Sequence, residues 1–522
     1  MKNFVATLAI IIFALTTLSL GGCSGTNRLG KAKKAYDLGE YHRATSSLNS
    51  IYRKEKNKYY KGEISYFLGH SYRKVNQPRR AASAFSRAVR HEYPEPEAIL
   101  YQAEELRKMG SYEEAIELYD QYMKDYFGDQ RAYNGKASCN LALKPPPPTA
   151  HVIEQVRKLN SRNSDFSPFI APDDPSEIYF TSLRLEKKNR RRESKITGQG
   201  LSSIYTAIHN SRGEWQDPEL MLPEESSTEW EDGVISITAD GKEAYFTRTR
   251  YDNSGPMGAE IWTTKKMGGR WGVATEVELG PDSLVYAHPA ISPDGKTLYF
   301  VSDMPGGQGG KDIWKSTKTG ESWSVAVNLG IQINTAGDEM FPYIRENGYL
   351  YFSSDGQVGY GGLDIFEAQP TEEGEWIIRN MGEPINSMSD DFGITFHQNR
   401  EAGFFSSSRD NSRGTDNIYS FAIPVIQLVL VGNITIPNNQ PIPEKTLVRV
   451  IGTDGTNIQI NIQPSGDFST LLKPENDYIL QVTSSGYYNQ SRKLSTKGVK
   501  QNKEFEINIS LEPFSSQPDK EQ

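Results

Sequence analysis

Five aspartates, Asp303, Asp312, Asp355, Asp364 and Asp416, recur at the same loop of an internal repeat and offer the kind of oxygen ligands from which a Ca²⁺ site is built. A turn-capping carboxylate, accepting from backbone N–H groups a few residues away, explains the recurrence equally well. Gly306 to Lys311 has the glycines and lysine of a phosphate loop, but its first glycine is misplaced and Asp312 stands where Ser or Thr would meet Mg²⁺, so a strand connection is the better reading. No Gly-x-Ser-x-Gly elbow and no His-Glu-x-x-His helix occurs; His91-Glu92 lacks its second ligand, and the seven histidines are scattered singly. No metal, no cofactor and no catalytic residue is assigned, and the chain is expected not to be an enzyme. With two cysteines, Cys23 and Cys139, neither a four-thiolate zinc site nor a disulfide scaffold can be built. Cys23 is the one residue placed for chemistry, its thiol standing directly after Leu20-Gly21-Gly22.

The element in front of Cys23 is a targeting segment. Lys2 precedes an apolar run from Phe4 to Leu20 that is barely long enough to span a bilayer and ends in small residues. Leu20-Gly21-Gly22-Cys23 resembles the bacterial lipobox, which implies acylation of the Cys23 thiol, removal of residues 1–22 and a lipid-tethered body of 500 residues. Ser24 in place of Asp implies, by the same resemblance, transfer to the outer membrane, and the lack of an acidic cluster after Cys23 places the body on the periplasmic face. A net charge of -8, from 66 acids and 58 bases, excludes a nucleic-acid binder.

Three helical hairpins are expected over residues 23–143. Gly39-x-Tyr41-x-x-Ala44, Asn76-x-Pro78-x-x-Ala81 and Gly110-x-Tyr112-x-x-Ala115 set the alanines 37 and 34 apart, and Leu48, Phe85 or Tyr119 follows four residues later on the same face. With Leu68-Gly69-x-x-Tyr72 and Pro94, the segment resembles a helical tetratricopeptide solenoid. Pro145 to Pro148 stiffen a linker over 144–151.

From 152 to 423 the period changes to that of short strands. Tyr179-Phe180, Tyr245-Phe246, Tyr299-Phe300, Tyr351-Phe352 and Phe404-Phe405 are each followed by an Ile-aromatic pair, and four of the five by Trp215, Trp271, Trp323 or Trp376. The later spacings are 54, 52 and 53 residues, enough for four strands and their turns, and such sheets pack radially as the blades of a β-propeller. Five blades are expected, with six as the alternative because the first spacing of 66 contains an insertion. Ser292-Pro293-Asp294-Gly295-Lys296 before Leu298-Tyr299-Phe300, with the loops Gly306–Trp314 and Gly359–Phe366, resembles the TolB-type propeller repeat. Asn160 lies eight residues before Pro168, as Asn334 does before Pro342, so residues 152–160 are expected to supply the outer strand of the last blade. The insertion carries Arg184, Lys187, Lys188, Arg190, Arg191, Arg192 and Lys195 and reads as a solvated loop rather than a contact for an acidic partner.

Alternating strands after Pro424, with Gly432-x-Ile434, Val448-x-Val450, Gly466-x-Phe468, Tyr478 and Gly486-Tyr487, resemble the carboxypeptidase regulatory-like β-sandwich over 425–513, before a disordered tail at 514–522. The expected fold class is therefore multidomain α + β, with solenoid, propeller and small β-sandwich in series. That order resembles the PorE-like lipoproteins of the Bacteroidetes type IX secretion machinery. The resemblance implies an outer-membrane lipoprotein that scaffolds secretion-complex or other envelope proteins, held to the membrane through the lipid on Cys23. Those relatives usually add a C-terminal OmpA-like domain, and its lack before Gln522 leaves contact with peptidoglycan unsupported. The alternative is a periplasmic protein that binds glycan or peptide on the propeller face.

Overall fold

The computed structural model describes residues 27–514 apart from 185–192, 223–229, 252–255, 282, 399, 410–414, 425 and 500. The lipobox, the centre of the basic insertion and residues 515–522 lie outside the described residues. Two compact units follow one another, the first ending at Ala422 and the second beginning at Ile423.

Helical residues 27–37 precede the helices Tyr41–Tyr52, Lys58–Lys74, Pro78–Arg90, Glu97–Arg107, Tyr112–Met123 and Gln130–Leu143. The turns into the second, fourth and sixth of these seven segments share a left-handed residue, Gly39 (φ 75°), Asn76 (φ 49°) or Gly110 (φ 75°), the conformation that Gly and Asn tolerate best. Gly69 is held small by Phe85, because a Cβ there would lie 2.5 Å from the ring, and Gly135 by Tyr119 in the same way. Phe85 and Tyr119 are both fully buried.

Five antiparallel sheets, three of four strands and two of five, form the rest of the first unit among the described residues. Blade 1 runs Asp165–Ile170, Glu177–Ser182, Ser203–Ile208 and Glu219–Leu220. Blades 2, 3 and 4 start at Trp230–Ile237, Ala287–Ile291 and Glu339–Ile344. Blade 5 consists of Asp391–Phe396, Ala402–Ser407 and Asn417–Ala422, with Val152–Gln155 as its outer strand, paired Val152↔Ala422 to Gln155↔Tyr419. Chain order thus closes the β-propeller, since the strand entering the ring completes its last blade and leaves that sheet no free outer edge. Phe180, Phe246, Phe300, Phe352 and Phe405 are fully buried. Trp271 and Trp323 pack on Tyr179 and Tyr245 of the preceding blade, and Trp215 on Phe404 across the seam.

Every inner strand carries a bulge at a residue of positive φ: Ser167, Val234, His288, Phe341 and Gly393. The bulge turns an N–H away from its own sheet toward the blade before it. Ser167 N donates to Ser406 Oγ at 2.7 Å, Val234 N to Thr181 Oγ1 at 2.8 Å and His288 N to Thr247 Oγ1 at 2.8 Å. Blade 3 has Val301 at the hydroxyl position, and there Phe341 N donates to His288 Nδ1 at 3.3 Å instead. Burial lowers the His288 pKa to about 3, which keeps that nitrogen an acceptor. His288→Leu is expected to cost about 1–2 kcal/mol in urea unfolding, by orphaning a buried N–H, and Val301→Thr in that background to recover most of it.

The second unit is a β-sandwich. One sheet contains Leu428–Thr435, Asp467–Leu472 and Lys503–Glu506, with Ile509–Ser510; the other contains Leu447–Gly452, Asn457–Ile460, Asp477–Thr483 and Gln490–Ser495. Alternate residues such as Val448, Val450, Leu480 and Val482 fill one core with Leu428, Leu430 and Phe468.

The fold class requires correction. The chain is mostly β, 37% strand against 20% helix in seven small sheets, and a tetratricopeptide solenoid as one member of a multidomain α + β series is not what forms. The seven helical segments and the five blades make up a single compact unit. The physical reason is that the helical face that would form an open groove is occupied by blade loops and ion pairs.

Candidate functional site

Helix ends and blade loops meet through two repeats of different length that advance in step. Arg73-Lys74 begins three residues before Asn76, and Arg107-Lys108 three before Gly110, at the C-terminal ends of the helices Lys58–Lys74 and Glu97–Arg107. Asp338 and Asp390 stand 52 residues apart, one blade period, at the entry to the inner strands of blades 4 and 5. Lys74 Nζ reaches Asp338 at 3.8 Å and Lys108 Nζ reaches Asp390 at 3.6 Å, so hairpin and blade pair one to one. Arg73 lies between them, paired with Glu104 and lying 3.6 Å from both Glu105 Oε1 and Asp355 Oδ2. Neutral bonds lock the same seam: Asn134 Nδ2 donates to the Gly356 carbonyl at 2.8 Å, and Gly359 N to Ser138 Oγ at 3.1 Å.

The glycine loops named in the sequence are what the helices sit on. Asp312 accepts from Gln308 N and Gly309 N, and Asp364 from Tyr360 N and Gly361 N, so both cap their own loop. Asp303 and Asp355 accept the backbone N–H of Val285 and Asp338 from the neighbouring connection. Gly309 lies against Thr335 and Ala336, and Gly361 against Ser387 and Met388, where a Cβ would strike backbone. Of the basic insertion, Arg184 is inside blade 1, paired with Asp165 at 2.8 Å and stacked over Tyr205, and Lys195 pairs with Glu40 at 3.1 Å. No cluster of His, Cys, Asp and Glu suited to a metal occurs among the described residues, and no helix among them is long and apolar enough to cross a membrane. Cys139 is buried, and Cys23 lies outside the described residues.

Blade 4 differs electrostatically from blades 1, 2 and 5. Arg184, Arg248 and Arg409 neutralise the inner-strand carboxylates Asp165, Asp232 and Asp391 in blades 1, 2 and 5. Gly356 stands where Arg184 and Arg409 stand, and the fully buried Glu339 accepts from Thr335 N, Thr335 Oγ1 and Ser354 Oγ. Burial pushes its pKa from 4.5 to about 8. A carboxyl held protonated in the fold but ionised in the unfolded chain stabilises below pH 4.5, and that stability is lost as pH rises toward 8. Glu339→Gln is therefore expected to flatten the fall in thermal midpoint between these pH values, and an unchanged slope would show that Glu339 is ionised in the fold.

At the opposite mouth of the ring, where inner strands turn into second strands, a pocket of about 220 Å³ opens. Phe169, Tyr343 and Phe396 form its aromatic wall, and Arg345, Glu346 and Gln398 its polar rim. Arg345 is held over Phe396 at 4.3 Å and pairs with Glu401 at 2.9 Å.

No protein-family model and no curated protein sequence matches the chain. Among solved structures it is similar to a protein described as TolB from Agrobacterium tumefaciens, at 17% identity over 53% of this chain and 98% of that one, with a TM-score of 0.27. It is also similar to an α-L-arabinofuranosidase from Lactobacillus brevis, at 12% identity over 51% of this chain and 93% of that one, TM-score 0.35. The MamA protein is matched at 22% identity over 23% of this chain, TM-score 0.21; this chain spans 65% of MamA and 53% of a matched prolyl endopeptidase. The matched structures are mostly enzymes, including a glycoside hydrolase and a β-xylosidase, at 8–14% identity. The expectation that the chain is not an enzyme is withdrawn on that finding, and likeness at this level transfers no activity. The chain is a β-propeller protein with a helical layer on its ring and a β-sandwich unit.

Proposed function

We propose that this protein is a lipid-tethered envelope component that presents its ring as a rigid docking platform, in an assembly of the type IX secretion kind at the periplasmic face of the outer membrane. The observation that carries this reading is the paired advance of hairpins and blades, Lys74 on Asp338 and Lys108 on Asp390, which commits the helices to one face of the ring. A helix groove filled by its own chain is not free to take a partner peptide. The opposite mouth, with three aromatic rings behind a polar rim, remains for a partner. The same pocket supports a second reading, a glycan or peptide ligand, because aromatic faces beside Arg345, Glu346 and Gln398 match sugar rings as well as side chains.

Crosslinked affinity capture of the full chain from envelopes tests the proposal. Type IX secretion subunits are expected with the wild type and to fall at least several-fold with Cys23→Ala. The exposed mouth pair Glu346→Lys and Gln398→Lys is expected to lose the partner while leaving the protein on the membrane. Partner capture that ignores the mouth variant would overturn the docking face, and recovery of glycan alone would favour the second reading.

A further inference from the structure

Between the helical layer and blade 4 lies a cavity of about 290 Å³, walled by Arg73, Lys74, Tyr101, Arg107, Tyr119 and Arg131 among others. Most of its cations have partners: Arg73 with Glu104, Lys74 with Asp338, and Arg131 with Glu97 and Asp129. Arg107 is the exception. It is 3% exposed, its Nη2 makes one long bond of 3.4 Å to the Asp355 carbonyl, and its Nε and Nη1 meet no acceptor. The hydroxyl of Tyr119, fully buried on the same wall, forms no regular hydrogen bond and lies against Arg107. Glu104, the carboxylate of the same helix, is committed to Arg73. Asp364 has both loop N–H bonds on Oδ2 and no hydrogen bond on Oδ1, and burial raises its pKa to about 8 against the pull of Arg107.

A guanidinium out of water with two free donors is costly, and its planar fork matches an oxyanion through two parallel bonds. We propose that this cavity is a binding site for a small oxyanion, a carboxylate or phosphate group received by Arg107 Nε and Nη1 and by the Tyr119 hydroxyl. Both residues sit on the helices while the far wall, Gly310, Gly337 and Asp355, belongs to blade loops, so an occupant fastens the helical layer to the ring. The site is separate from the open mouth of the ring and does not depend on what docks there.

Thermal unfolding of the full chain tests it, with inorganic phosphate and acetate in separate arms, each against chloride at matched ionic strength. A bound anion is expected to raise the midpoint by about 2 °C at ten times its dissociation constant. The arm that responds names the group. Arg107→Met is expected to abolish the shift, and Tyr119→Phe, which removes one oxygen and keeps the ring, to weaken affinity several-fold; the second variant decides if the first does not fold. No shift in either arm, or equal shifts in wild type and both variants, would overturn the proposal and leave the cavity to water.

Discussion

Replacing Arg73 with alanine is expected to destabilise the first unit by about 3–5 kcal/mol, more than any surface ion pair in the molecule would. The side chain is 18% exposed and stands among Glu104, Glu105 and Asp355, whose side chains are 11%, 1% and 15% exposed. Buried pairs repay desolvation poorly on average, so the cluster as a whole adds little, but removal of Arg73 takes away the cation that pairs with all three carboxylates and leaves Lys108 to act on Glu105 and Asp355. Burial already raises the pKa of Glu105 and Asp355, with Glu104 adding to the shift at Glu105 and Asp338 at Asp355. Arg73→Ala with Glu104→Gln and Glu105→Gln should recover much of the loss, because fewer charges are then stranded. Equilibrium unfolding in urea reads the difference. A cost below about 1 kcal/mol for the single variant would mean that water reaches the cluster and screens it as at a surface.

The repeats were legible because each landmark has one steric cause. A Phe at the centre of each blade, an alanine at each helix crossing and a Trp against the preceding blade are demanded by local packing, and so the Phe and the alanine recur in every copy and the Trp in four of the five blades. The aspartates were legible only as alternatives, and the loops they cap decided for turn chemistry at Asp312 and Asp364. The contacts that join the parts were harder to read, because each depends on two periods at once. Arg73-Lys74 and Arg107-Lys108 recur every 34 residues, and Asp338 and Asp390 every 52; nothing within either series says that they meet. The hydroxyl after each aromatic pair, Thr181, Thr247, Ser353 and Ser406, was in view, and so was its loss at Val301. Its purpose at Thr181, Thr247 and Ser406 depends on a bulge at positive φ, which Val234 does not announce, being a residue type that avoids that conformation, as is Phe341 after Val301. The helices misled for a related reason: a hairpin pattern fixes how helices pack on each other and is silent about what fills their outer groove.

Asn160→Ala is expected to cost about 2–3 kcal/mol and to open the ring at one place. Asn160 Oδ1 accepts from Ile418 N at 2.8 Å and its Nδ2 donates to Ile418 O at 3.0 Å, a two-bond clamp on the third strand of blade 5. Asn334 holds Ile313, and Asn386 holds Ile365, by the same pair of bonds in blades 3 and 4. In those blades the clamp joins residues only 21 apart, and the intervening chain keeps them near each other if it is lost. At the seam it joins residues 258 apart, with the short strand Val152–Gln155 as its main support. Ile418 is fully buried, so its N–H loses its acceptor with no water to replace it. Two consequences separate this site from its equivalents. Hydrogen exchange in Asn160→Ala should rise at Val152–Gln155 and Asn417–Ala422 while blades 2 and 3 stay protected, whereas Asn334→Ala should loosen blade 3 without opening the seam. An exposed third strand is also a template for pairing with another chain, so the seam variant should associate with rising concentration and the blade 3 variant should not. Equal exchange patterns in the two variants would show that the ring is held by its aromatic core alone and that the entering strand is dispensable.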